Sequence, residues 1–364
     1  NGNLVYGIRE TLLGSDKLTW EKSYKTNIGL EMMLWGKLNL TLDYYWERRK
    51  DILIQRSSLP SMAGFDASIY ANMGEMDNKG VDANLEYQTR IGNKVGLRLF
   101  GNLTYSKNKI VFRDEPAMQY AYQKSEGTRY GEFYGYIAEG YFQSEEEIKK
   151  SPRQMRELAP GDIKYKDLND DGVIDANDQC YLGKSWFPSW SYGMGFNINY
   201  HNFDLALFFQ GVSDVSIMAN GGSIDTGNGD WGASGVGIVP FTGMGLNPSN
   251  VITKALDRWT ADNPRADAWY PRMTANATTN DNNYVNSTHW LKDGSYLRLK
   301  QASLGYTLEN KKLMDKGIEY LYFYLSGQNL LTFSKFKLWD PELGSNGAKY
   351  PLSRMVTLGM RVSF

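Results

Sequence analysis

The chain has 364 residues and carries 40 Lys+Arg against 41 Asp+Glu, so no net field draws it to nucleic acid or to an anionic surface. Its longest clear apolar run, Leu205 to Phe209, is far too short for a membrane-spanning helix. A β-barrel stays open, because barrel strands alternate and average out as polar.

The lone Cys180 makes no internal disulfide. Aromatic residues at 14%, with 10 Trp and 25 Tyr, suit barrel girdles or sugar-binding loops. In chain order, the even positions Tyr24, Ile28, Leu30, Met32 and Leu34 are apolar between polar odd ones. Such a two-residue repeat predicts a strand with one greasy and one wet face. A turn at Trp35-Gly36-Lys37 leads into Leu38, Leu40, Leu42, Tyr44 and Trp46. The pattern returns at Val81, Ala83, Leu85 and Tyr87, and after a turn at Arg90 to Asn93 in Val95, Leu97, Leu99, Leu103 and Tyr105. A connection of more than about eighty residues follows, well beyond the usual loop length. Trp190 to Tyr200 and Phe203 to Phe209 then form a hairpin about a His201-Asn202 turn. Beyond another long connection lie Tyr296 to Leu308, whose register the pattern leaves open because a bulge would re-aim half of it, and Ile318 to Gln328. In the last strand Val356, Leu358, Met360, Val362 and Phe364 share one face, opposite Thr357, Gly359, Arg361 and Ser363. The total is about nine strands.

Alternation alone does not separate a membrane barrel from a soluble sandwich. The connections do, since they run short, long, short, long, as in outer-membrane barrels with short periplasmic turns and long outer loops. The first strand runs inward from a long-loop side and the last ends on the short-turn side, an odd count. Even strand numbers are the rule, so the chain is expected to be the C-terminal portion of a larger barrel, with residues 1–364 all belonging to it.

Several segments then carry a family resemblance: GDIKYKDLNDDGVIDANDQ (161–179), RWTADNP (258–264), LKDGSYLRLKQASLGYTL (291–308), YLSGQNLLTFSKF (324–336) and WDPE (339–342). In this order they resemble the SusC/RagA family of TonB-dependent outer-membrane transporters. The resemblance implies an all-β transmembrane barrel of about 22 strands with a plugged lumen, so that about thirteen strands, the plug and the TonB-contacting segment lie outside this chain. It implies the outer membrane of a Gram-negative bacterium and a SusD-like surface lipoprotein as partner. It also implies TonB as energy source and an oligosaccharide, or less often a peptide, as cargo.

Within residues 161–180 sits a loop written like a calcium site. Asp167, Asn169 and Asp171 occupy positions one, three and five, Gly172 supplies the sharp turn at six, and Val173 offers a carbonyl at seven. Asp175 at nine acts through water, and Asp178 closes at twelve, where Asp replaces the usual Glu. The expectation is a structural Ca2+ that stiffens the loop; the alternative is a turn held by Asx hydrogen bonds with no ion. Loop tryptophans Trp186, Trp231 and Trp290 are candidate sugar contacts, because indole faces stack on the apolar faces of sugar rings. Loop packing or a partner interface is the alternative for each.

The other motifs read as bland. Gly227 to Gly232 formally matches a dinucleotide fingerprint but lacks a preceding strand and a following helix. Asn276 to Asn286 reads as a solvated loop, and Val251, Ala255, Leu256 and Trp259 as a short helix after a Ser249/Asn250 cap. His201 and His289 read as surface histidines without partners. No paired carboxylates, nucleophile elbow or triad spacing stands out, so the chain is not expected to be an enzyme. A passive porin and a secreted glycan-binding protein with a dockerin-like calcium loop are the rival readings.

Overall fold

A computed structural model describes residues 17–58, 69–92, 94–220, 252–273, 282–315, 317–347 and 349–364. The first described elements are a meander of β1 (Lys22–Leu34), β2 (Leu38–Gln55), β3 (Tyr70–Ile91) and β4 (Val95–Phe112). Residues 113–189 then carry short strands β5 (Glu132–Gly135), β6 (Ala138–Tyr141), β7 (Ile163–Tyr165) and β8 (Cys180–Ser185), with a short helix α1 (Glu145–Lys150) between β6 and β7. The hairpin β9 (Trp190–Tyr200) and β10 (Phe203–Ser213) follows. The next connection contributes β11 (Ser216–Met218) and β12 (Leu291–Asp293), which pair with each other. The chain then runs through β13 (Tyr296–Leu308), β14 (Tyr320–Ser334) and β15 (Met355–Ser363). Among the described residues nine strands make one sheet in the order β1-β2-β3-β4-β9-β10-β13-β14-β15, and every pairing in it is antiparallel.

The tight turns account for the hairpins. Trp35 and Gly36 have φ of 55° and 62°, the pair of positive angles that matches a two-residue turn to the strand twist. Across the sheet the register aligns greasy residues into continuous rows. Leu97, Ile198, Leu205, Leu304, Leu325 and Leu358 lie side by side in one such row. The next row on the same face is Leu99, Phe196, Leu207, Ala302, Gly327 and Val356. Between them, on the other face, run Arg98, Asn197, Ala206, Ser303, Ser326 and Thr357. In β15 Val356, Leu358, Met360 and Val362, with Phe364 beyond it, are all exposed on the greasy side.

Aromatic residues close this apolar band at both ends. Tyr200, Phe203 and Tyr306 meet at the short-turn end, with Phe203 and Tyr306 ring centroids 4.7 Å apart. Tyr105 and Trp190 meet at the other, 4.4 Å apart. Ten residues separate Trp190 from Tyr200. At about 3.3 Å per residue and a tilt near 40°, that spans about 25 Å, the height of the apolar belt of an outer-membrane barrel.

The unread register of β13 has a simple cause. Leu299 pairs with Phe209 and Leu331, whereas Gln301 pairs with Phe208 and Gln328, so Lys300 is an unpaired extra residue. That bulge lets odd-numbered Leu297 and Leu299 share a face with even-numbered Ala302, Leu304 and Tyr306. The strands also outrun the membrane. β3 has 22 residues and β4 has 18, so the long connection starts only at residue 113 and is shorter than the alternation suggested.

Burial is concentrated away from the sheet. Most fully enclosed apolar side chains, including Phe133, Tyr141, Phe142, Ile163, Tyr165, Ile174, Tyr270, Tyr284 and Trp290, belong to the long connections. A sheet that turns its greasy face to lipid keeps little for an interior, so the packed core forms in the loop layer at the outer end.

Candidate functional site

The polar face of the sheet is dense with paired charge. Arg98 donates to both oxygens of Glu86 at 3.0 Å, Thr104 Oγ1 donates to Asp82 at 2.7 Å, and Ser106 Oγ donates to Asn78 at 3.0 Å. Such a surface is wetted, and ion pairs on it contribute little stability on their own. It has the wetted, charged character of a barrel's inner wall.

Above that wall the motif segments fold onto one another. Gly161 sits at φ 91°, and a Cβ there would lie 2.2 Å from the Trp259 ring; the GDI segment and the RWT segment therefore pack face to face. Asp162, next in sequence, is buried and accepts from Arg272 Nη2 at 2.9 Å and from Asn283 Nδ2 at 2.7 Å. Asn283 Oδ1 in turn accepts from the Ile163 amide at 2.9 Å, and Tyr165 Oη donates to the Asn282 carbonyl at 2.6 Å. The solvated-loop reading is thus corrected at its end: Asn282 and Asn283 are enclosed polar braces, satisfied as buried amides must be. Residues 274–281 lie outside the described residues.

Trp290 requires a second correction. It is 0% exposed, donates from Nε1 to the Asn283 carbonyl at 2.7 Å and stacks on Tyr284 at 5.2 Å. It is enclosed within the loop core, with no indole face open for a sugar ring to stack on. Trp186 is 37% exposed and rests edge-on against Phe133 at 5.9 Å. Trp231, with the whole Gly227–Gly232 segment, lies outside the described residues.

His289 is likewise not a surface residue. One ring nitrogen lies 3.1 Å from the Trp269 carbonyl and 3.3 Å from the Tyr141 hydroxyl. Burial, helped by the nearby Lys292 charge, pushes its pKa down to about 4. His201 lies exposed in the β9–β10 turn at φ 52°. The short helix expected over 251–259 is a single 3-10 turn, Thr253–Leu256, entered from Ile252 without a side-chain cap. Ser249, Asn250 and Val251 lie outside the described residues.

The calcium-like loop is a network of Asx turns. Asp167 accepts from the amides of Asp170 at 2.7 Å and Gly172 at 2.9 Å. Asn169 accepts from Asp171 at 3.2 Å, and Asp171 from Val173 at 2.8 Å. Gly172 takes φ 81° at the sharp turn. Asp175 and Asp178 cap the next 3-10 turn reciprocally. Asp178, at 0% exposure, accepts from Leu168 at 2.7 Å and from Asp175 at 2.9 Å. Ile174 anchors the loop in the core. The donor set is all oxygen, as a hard cation requires. Among the described residues, however, no three acidic, His or Cys side chains are drawn around one point.

Sequence reasoning missed the brace at the rim. Arg298 is 1% exposed; its Nη2 donates to Asp340 at 2.6 Å and its Nη1 to Glu342 at 2.8 Å. The WDPE segment is thereby clamped to the inner face of β13. The signal was present as an arginine between Leu297 and Leu299, but the bulge hid which way it pointed.

A family model described as "TonB dependent receptor-like, beta-barrel" matches residues 2–330. TonB-dependent receptor P3 of Formosa agariphila is 28% identical over 99% of this chain and 36% of its own length. TonB-dependent receptor SusC of Bacteroides thetaiotaomicron is 23% identical over 100% of this chain and 34% of its own length. Among solved structures, the RagAB peptide importer in its open-open state aligns with a TM-score of 0.71 at 24% identity, covering 97% of this chain and 36% of that one. The chain spans about a third of the length of these relatives.

Proposed function

The chain belongs to the TonB-dependent receptor-like β-barrel family of the Gram-negative outer membrane, and we propose that it forms the C-terminal barrel wall and outer loop cap of an importer. The cargo in this reading is an oligosaccharide or a peptide. A SusD-like surface lipoprotein closes over the loop cap, and TonB drives uptake through a plug contributed by another part of the protein. One observation carries the reading: an apolar belt about 25 Å tall backs directly onto a charged, hydrogen-bonded face, with a folded loop layer at one end only. Among the described residues, β1 and β15 are the two edges of the sheet. Edges left unpaired in hydrocarbon cost several kcal/mol per polar group, which supports closure by further strands of the same barrel. The oligosaccharide reading rests on the family resemblance of the motif segments, and the peptide alternative is the cargo class named for the RagAB importer, whose fold this chain shares.

We further propose that Asp167, Asn169, Asp171, the Val173 carbonyl, Asp175 and Asp178 hold a structural Ca2+. The turn conformation and the all-oxygen donor set support this, and the ion's part is to stiffen residues 161–180.

The importer reading is tested by uptake of labelled oligosaccharides and peptides into cells, with and without functional TonB. Uptake that vanishes without TonB, together with a surface lipoprotein co-purifying in detergent, is expected. TonB-independent flux identifies a passive porin, and a protein that stays monodisperse in plain buffer identifies a soluble glycan binder; either result overturns the proposal.

A further inference from the structure

In the loop layer a cleft of about 910 Å³ opens between residues 252–257, strand β12 and the segment that follows β14. Its volume lies within the range of small-molecule sites. Four lysines line it: Lys254, Lys292, Lys335 and Lys337, beside the indoles of Trp269 and Trp339.

The charges do not cancel within the cleft. Asp257 is shared between Lys254 at 2.8 Å and Arg265 at 2.6 Å. Asp293 is 3.9 Å from the exposed Lys335. Among the described residues no carboxylate pairs with Lys292 or Lys337. The Lys292 ammonium donates to the His289 carbonyl at 2.6 Å and lies 5.2 Å from the Trp269 ring centroid. An ammonium withdrawn from water against a ring and a carbonyl lacks a counter-charge, and a bound anion supplies one. Burial, with the Lys254 charge adding, lowers the Lys292 pKa to about 8.

We propose that this cleft binds an anionic saccharide, its carboxylate or sulfate groups set against Lys292 and Lys337 and its ring faces against Trp269 and Trp339. An acidic peptide would satisfy the lysines but presents no sugar ring to the two indoles that line the cleft. As cargo, the ligand rests on the importer reading above; as a binding site, the cleft does not.

The test is calorimetric titration of the purified protein in detergent with oligogalacturonate, a sulfated galactan oligomer, neutral malto-oligosaccharide and an oligo-aspartate peptide of matched length. One or both acidic sugars are expected to bind at least about tenfold tighter than the neutral one, with affinity falling as salt rises. Which acidic sugar wins identifies carboxylate or sulfate as the preferred group. The acidic-sugar affinity is expected to drop as pH passes about 8, where Lys292 loses its proton. The charged groups that line the cleft with that amine are Lys254, Asp257, Asp293, Lys335 and Lys337, and the carbonyl it donates to belongs to His289, itself titratable. Lys292→Met is expected to weaken acidic-sugar binding about tenfold. Lys337→Glu, at an exposed position, is a second variant that leaves folding intact and lowers affinity in the same direction. Equal affinity for the neutral sugar, or equal affinity for oligo-aspartate, overturns the proposal. TonB takes no part in the titration, so failure of the importer reading leaves its result standing. TonB-driven uptake of a neutral sugar with no anion binding removes the cleft alone.

Discussion

At the level of single residues the loop cap depends on a few close approaches. Gly161 is the sharpest. Its positive φ and the Trp259 ring against its Cα leave no room for a methyl group. Gly161→Ala is expected to destabilise the cap by about 2 kcal/mol or more, read as faster proteolysis of residues 113–189 with the barrel band unchanged on a gel. A protection pattern identical to the parent protein's contradicts this. His289 gives the cap a pH dependence. Its pKa in the folded protein is about 4 against the ordinary 6.5, so the unfolded chain takes up the proton first as the pH falls. Cap stability is therefore flat above pH 6.5, declines between 6.5 and 4, and levels off below. The full span is about 3 kcal/mol. Hydrogen exchange of the loop amides across that range checks the slope, and His289→Gln is expected to flatten it.

At the level of elements, two adjacent residues of β4 meet different solvents. Arg98 sits on the polar face, paired with Glu86. Leu99 sits on the greasy face, opposite Phe196 and midway between the two aromatic girdles. Leu99→Arg is expected to cost about 2–4 kcal/mol, the midplane value for a charge on the lipid face. Asn102→Arg, on the polar face of the same strand, is expected to be mild. Refolding into detergent or lipid with a urea titration measures both, and similar losses for the two would contradict the assignment of faces. The calcium loop makes its own prediction. Chelation is expected to raise protease sensitivity around residues 161–180, and Asp171→Ala is expected to lower bound calcium by metal analysis. Unchanged metal content in Asp171→Ala removes the proposed ion.

For the whole molecule, burial is turned inside out relative to a water-soluble domain. The hydrocarbon takes the place of a core for the sheet, and the conventional core is rebuilt in the loops from Trp290, Tyr284, Tyr270, Trp259 and their neighbours. The Arg298 clamp to Asp340 and Glu342 ties the segment after β14 to the wall.

The alternation of apolar and polar side chains by itself determined the strands, their greasy faces and the long-loop end, because a period of two leaves only one way to sort residues between lipid and water. It failed at Lys300, where one extra residue reversed the parity. It failed again in the loops, where Asn282, Asn283 and Trp290 look like surface chemistry and are interior, and His289 is half-buried. Loop residues bury one another through contacts between segments more than a hundred positions apart, such as Asn283 with Asp162. No local pattern encodes that pairing, and the lysine cleft arises in the same way, from three segments that only the folded chain brings together.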